Sequence, residues 1–149
     1  MQTLSDHILD IAQNSIRAQA SRVEIKLQEN ITKDSLVITI RDNGCGMDET
    51  TVAKVTDPFF TSRTVRKVGL GIPLFKQNAE ATGGNLKIES KTGEGTIIEA
   101  KFGLSHWDRP PMGDIAGSIV ILVSANPEID FIYRHSTEKV GKRKILWEK

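Results

Sequence analysis

The chain has 149 residues, 38% of them hydrophobic and 26% charged, with a net charge of +1. That length supports one core, the balance is globular rather than disordered, and near-neutral charge gives no mandate for nucleic acid or a membrane surface. The single cysteine, Cys45, excludes an internal disulfide and a cysteine-built zinc site. Apolar runs are too short to span a bilayer, and Met1-Gln2-Thr3 leads into a helix without a signal-peptide pattern, so a cytoplasmic location is expected.

From Leu4 to Ala20, Leu4, Ile8, Ile11, Ser15 and Ala18 recur at helical spacing, widened by Ala12 and Ile16. At about 100° per residue, His7, Asp10, Asn14 and Arg17 gather on an adjoining polar stripe. A solvated helix face explains such a stripe. The same set also offers an amide oxygen for Mg²⁺, a carboxylate that can take a proton and a guanidinium that can face phosphate. Arg22–Gln28 alternates as a half-buried strand, and a polar turn leads to a second strand, Leu36–Arg41, forming an antiparallel hairpin. This hairpin ends in Asp42-Asn43-Gly44-Cys45-Gly46-Met47, where a carboxylate and two glycines allow close approach to a ligand, or an ordinary turn. Cys45 reads as a small filler, with a redox handle as the alternative.

Asp48 can cap a short helix ending near Val55. The segment Asp57–Lys67 joins Phe59 and Phe60 to the basic residues Arg63, Arg66 and Lys67, as a loop anchor or a lid. Gly69 and Gly71 then open a helix with Pro73 in its first turn and Gly83-Gly84 past its end. Bare amides at such an entry can cradle phosphate. Two further strands, Asn85–Lys91 and Thr96–Phe102, flank a glycine turn. The order implies a two-layer α/β sandwich, a mixed sheet with helices on one face, over residues 1–103.

Residues 104–149 form an extension. Its proline-broken connector precedes a helix capped by Asp114 and running to Ala125, with Gly117 and the β-branched residues offering a strand as the alternative. A strand at Asp130–His135 can extend or cover the sheet, and a loose basic tail follows from Lys139.

Four boxes in this order resemble the GHKL superfamily, which includes sensor histidine kinases, gyrase, MutL and anti-sigma kinases. They are the helix with Asp10 and Asn14, then D-N-G-C-G-M, D-P-F-F-T-S-R and V-G-L-G-I, followed by G-E-G-T. The resemblance covers roughly Leu4 to Phe102 and implies the Bergerat ATP-binding fold, with ATP and Mg²⁺ as cofactors. It implies that Asn14 ligates Mg²⁺ and Arg17 contacts phosphate. Asp42 would accept the adenine amino group beside Gly44, Gly46 and Met47, and Thr96 would support its water network. Phe59, Thr61 and Arg63 match the start of the lid box, and Gly69, Leu70 and Gly71 match the phosphate loop. Asp10 stands where several members carry a glutamate base, so Asp10 and Arg63 are the expected catalytic pair. Lys67 and Val68 depart from the Gly-Thr that often precedes the glycine pair, and the lid is short.

Little chain precedes the first box, so an autophosphorylating sensor kinase with its own phosphoacceptor histidine is not expected. His7 lies within the binding helix, while His106 and His135 follow the sandwich. The expected function is a Mg-ATP-binding regulatory kinase acting on a protein partner, with a non-catalytic module or a slow ATPase as alternatives. A homodimer is compatible with it; no nucleic-acid or membrane partner is expected.

Overall fold

The computed structural model describes residues 3–56, 71–139 and 142–145. Helix α1 (Leu4–Arg17) begins in a capping box, in which Thr3 Oγ1 accepts from the Asp6 amide and the Asp6 carboxylate accepts from the Thr3 amide. These bonds hold the Asp6 carboxyl below its ordinary pKa. The antiparallel hairpin β1 (Arg22–Asn30) and β2 (Ser35–Asp42) follows, each strand longer than its alternation predicts. Helix α2 (Glu49–Val55) is capped by Asp48, whose side chain accepts from the Thr51 amide.

Helix α3 (Gly71–Ala81) buries Pro73 in its first turn, and Gly83 follows its end at φ 81°. Strands β3 (Asn85–Lys91) and β4 (Gly95–Gly103) pair antiparallel, and β4 pairs with β2. Helix α4 (Ile115–Ala125) is capped by Asp114, so the helix reading of this segment holds over the strand alternative. It leads to β5 (Asp130–Lys139), which lies parallel to β1. The tail from Lys139 is not simply loose: β6 (Lys142–Ile145) pairs antiparallel with β5.

The result is a mixed six-stranded sheet in the order β3-β4-β2-β1-β5-β6. Val23, Ile25 and Leu27 of β1, Leu36, Ile38 and Ile40 of β2, and Ile98, Ala100 and Phe102 of β4 alternate onto one buried face. Leu4, Ile8 and Ile11 of α1, Phe75 of α3 and Leu122 of α4 close that core from the helical layer. Among the described residues, no helix is long and apolar enough to cross a membrane.

One expectation fails on α1. His7 does not share a solvated stripe; it has no exposed surface and lies against Phe75 with ring centroids 5.0 Å apart. Helix α3 covers that flank, and burial lowers the imidazole pKa to about 4, against a weaker opposing pull from Asp6, so the ring is neutral and packs as a small aromatic.

Candidate functional site

The pocket with the matched residues lies between the second half of α1, the end of β2 and the start of β4. Its volume is about 280 Å³, and Asn14, Arg17, Asp42, Gly46, Met47 and Thr96 contribute to its lining. Apolar walls come from Ile11, Ala18, Ile72 and Ile98. An apolar slot with a few convergent polar groups suits a flat heteroaromatic ring.

Asp42 follows Ile40 on the inward face of β2, so strand alternation sends its carboxylate under the helices rather than to solvent. Ser15 Oγ donates to Asp42 Oδ2 at 2.6 Å, and the Gly44 amide donates to Oδ1 at 2.9 Å. Each oxygen is thereby oriented with acceptor capacity to spare. Helical spacing gives Ser15 an inward position on α1, but only the fold shows that it holds Asp42.

Thr96 faces Asp42 directly across the β2–β4 ladder. Its Oγ1 lies 2.7 Å from Ser90 Oγ, which also accepts from the Met47 amide and donates to the Gly95 carbonyl. Ser90 has one hydroxyl proton, so Thr96 is the donor of their mutual bond and keeps its own oxygen as an acceptor at the pocket. Ser90 is a second contributor that spacing did not mark.

The loop after β2 is stitched to the end of α1. Asn43 Oδ1 accepts from the amides of Ser21 and Arg22, and the Cys45 amide donates to the Ala18 carbonyl at 2.9 Å. Gly44 is buried so closely that an added Cβ would stand 2.8 Å from Ala18 Cβ. At Gly46, φ is 70° and a Cβ would fall 2.1 Å from the Lys91 carbonyl oxygen, so no side chain fits. Cys45 is exposed and lines the pocket rather than filling the core.

On α1, Arg17 Nη1 donates to Asn14 Oδ1 at 2.8 Å, while Asn14 Nδ2 is buried with no hydrogen-bond partner among the described residues. A buried unpaired amide costs free energy, and a polar ligand in the pocket would relieve it. Asp10 is exposed one turn earlier. Gly71 opens α3 directly against it, because a Cβ there would stand 3.2 Å from Asp10 Cβ. The first turn of α3 thus faces the helix that carries Asp10 and Asn14. Phe59, Thr61, Arg63, Gly69 and Leu70 lie outside the described residues.

Magnesium needs little from protein, since it keeps waters and substrate phosphates as most of its ligands. Among the described residues no group of three or more His, Cys, Asp or Glu side chains could hold a metal alone. One amide oxygen, from Asn14, fits a metal that arrives with its own phosphate ligands.

A family model described as "Histidine kinase-, DNA gyrase B-, and HSP90-like ATPase" matches residues 2–106. The signal transduction histidine-protein kinase AtoS of Escherichia coli (strain K12) is 35% identical over 96 residues, covering 64% of this chain and 16% of that kinase. The chain spans only 16% or 17% of the length of the first curated relatives it matches. Among solved structures, the N-terminal domain of a DNA repair protein has a TM-score of 0.65 at 16% identity, covering 100% of this chain and 53% of that one. The Aquifex aeolicus MutL ATPase domain complexed with ADP has a TM-score of 0.50 at 14% identity, covering 100% of this chain and 65% of that one. At such identities the likeness is one of fold.

Proposed function

The chain belongs to the histidine kinase-, DNA gyrase B- and HSP90-like ATPase family, and on that premise we propose that it binds Mg-ATP in the α1–β2–β4 pocket and passes the γ-phosphate to a protein partner, as a regulatory kinase of the anti-sigma or histidine-kinase type. The carrying observation is Asp42: a carboxylate aimed into an apolar slot and oriented on both oxygens by Ser15 and Gly44. Such a group accepts the exocyclic amino hydrogen of adenine, and Met47, Ile72 and Ile98 offer apolar surface to the base. The bound nucleotide in the ADP complex of the fold-related MutL domain is consistent with this reading.

Asn14 would hold the magnesium, whose chemistry is to neutralise phosphate charge. Arg17, now on the Asn14 oxygen, would turn toward phosphate as that oxygen is engaged. Asp10 would take the proton of an incoming serine or threonine hydroxyl as its oxygen bonds to the γ-phosphorus and the bond to the β–γ bridging oxygen breaks, releasing ADP. The amides at Gly69, Leu70 and Gly71 with Arg63 would stabilise the phosphoryl charge. Phe59 and Thr61 match the start of the lid box by sequence and would contribute to nucleotide binding. A cytoplasmic location, where ATP is held, suits this activity.

Calorimetry with Mg-ATP tests the site. Asp42→Ala and Asn14→Ala are each expected to weaken binding at least about tenfold. Unchanged affinity in both would overturn the assignment. Incubation with γ-labelled ATP and Mg²⁺, with and without cell lysate and with Asn14→Ala as blank, tests the chemistry. Label on a protein supports the kinase. Label only in free phosphate makes the protein a slow ATPase, and bound but unconverted ATP makes it a nucleotide-responsive module.

A further inference from the structure

Helices α1 and α3 run antiparallel along a seam. His7 of α1 meets Phe75 and Asn78 of α3, and Asp10, one turn nearer the pocket, meets Gly71. On α1 the seam face continues to Asn14; on α3 it comprises Gly71, Phe75 and Asn78, all at helical spacing. His7 is fully buried, and its Nε2 lies 2.7 Å from Asn78 Nδ2. With Asn78 as donor, the ring proton resides on Nδ1, which has no partner among the described residues.

A leucine would fill this space without an unpaired ring nitrogen, so the imidazole is a costly choice for stability alone. We infer that His7 is a positioning residue for the nucleotide site, its bond to Asn78 setting the register in which the first turn of α3 faces Asp10 and Asn14. The inference rests on the proposed ATP site. Apolar contacts between helices are non-directional and tolerate sliding, whereas a hydrogen bond does not. Moving α3 by one residue shifts it about 1.5 Å along its axis, which breaks a bond of this length and displaces Gly71 from Asp10. Misplacement on that scale matters where phosphate must meet an amide and a metal ligand together. Phe75 carries the constraint into the sheet through Phe102 of β4, its ring centroid 5.7 Å away.

The test uses His7→Leu, Asn78→Ala and the double variant, each measured for Mg-ATP affinity by calorimetry and for stability by urea unfolding. Each single variant is expected to bind about tenfold more weakly. His7→Leu keeps or raises stability, and the double variant loses no more affinity than the worse single one. Affinity within twofold of the unmodified protein in both single variants overturns the inference while leaving the site reading intact. Affinity that falls only in step with stability also overturns it, since that is all a structural role would do. Should His7→Leu fail to fold, Asn78→Ala and a destabiliser on β5, Phe131→Ala, give the same comparison. An unmodified chain that binds no Mg-ATP overturns the site reading and this inference with it.

Discussion

Residues 2–106, matched by the family, and the described residues beyond them are held together by different kinds of contact. Within the matched part, the pocket is built from close and directional ones. Gly44 and Gly46 lie where no Cβ fits, Asp42 is held by two donors, and an imidazole is bonded across a helix seam. The later elements join mainly by repetitive pairing and apolar burial. Strand β5 lies in register with β1 from Arg22↔Asp130 to Asn30↔Glu138, and Phe131 and Leu122 enter the same core. Directional bonds occur there as well: the carbonyls of Pro111 and Met112 accept from the amides of Leu4 and Ser5, satisfying donors at the start of α1, and Glu29 Oε2 of β1 lies 2.7 Å from His135 Nε2 and accepts from Thr137 Oγ1 of β5. Ser5 also bonds Ser118 and the Asp114 carbonyl. The contrast separates what shapes a ligand site from what makes it stable, and α1 is the element on which both converge.

The largest effect should come from breaking the generic side. Phe131→Ala removes a ring that is 2% exposed and is expected to cost about 4 kcal/mol in urea unfolding, in one transition. A loss below about 1 kcal/mol, or two separate transitions, would mean that the later elements are an independent appendage.

Acid addresses the seam. The His7 pKa is about 4 in the fold against an ordinary 6.5, so the unfolded chain binds this proton first as pH falls. The stability tied to the neutral ring is complete above pH 6.5 and is lost as pH drops toward 4, on the order of 3 kcal/mol. His7→Leu should remove that part of the pH dependence of urea unfolding. An unaltered profile in the variant would place the acid sensitivity elsewhere.

The smallest effect sharpens the directional side. Ser15→Ala deletes one donor to Asp42 and leaves the strand pairing intact. Stability should change by about 1 kcal/mol, with Mg-ATP affinity falling severalfold in calorimetry. Affinity identical to that of the unmodified protein would show that the Gly44 amide alone orients the carboxylate.

Much of this was legible in local patterns. The alternation of β1 and β2, the caps Asp48 and Asp114, and the glycine-bounded helix Gly71–Ala81 all depend on residues a few positions apart. Asn14, Asp42, Gly46, Met47 and Thr96 could be named as one site because the boxes come in a characteristic order, and the fold brings these five to one pocket. Ser15 and Ser90 escaped notice because a serine at an inward position looks like a tolerated small residue until its partner is known. Helical periodicity gives the angle of His7 around the axis but not that α3 covers that side.

Turn geometry, capping and periodicity act over short stretches of chain, so most elements, their order and the residue types that can carry nucleotide chemistry are legible locally, whereas β6 is not. Only the tertiary structure decided that Ser15 meets Asp42 across 27 residues, that His7 meets Asn78 across 71 and that β5 lies parallel beside β1. Those contacts depend on which faces the collapsed chain brings together, and no local window of sequence contains both partners.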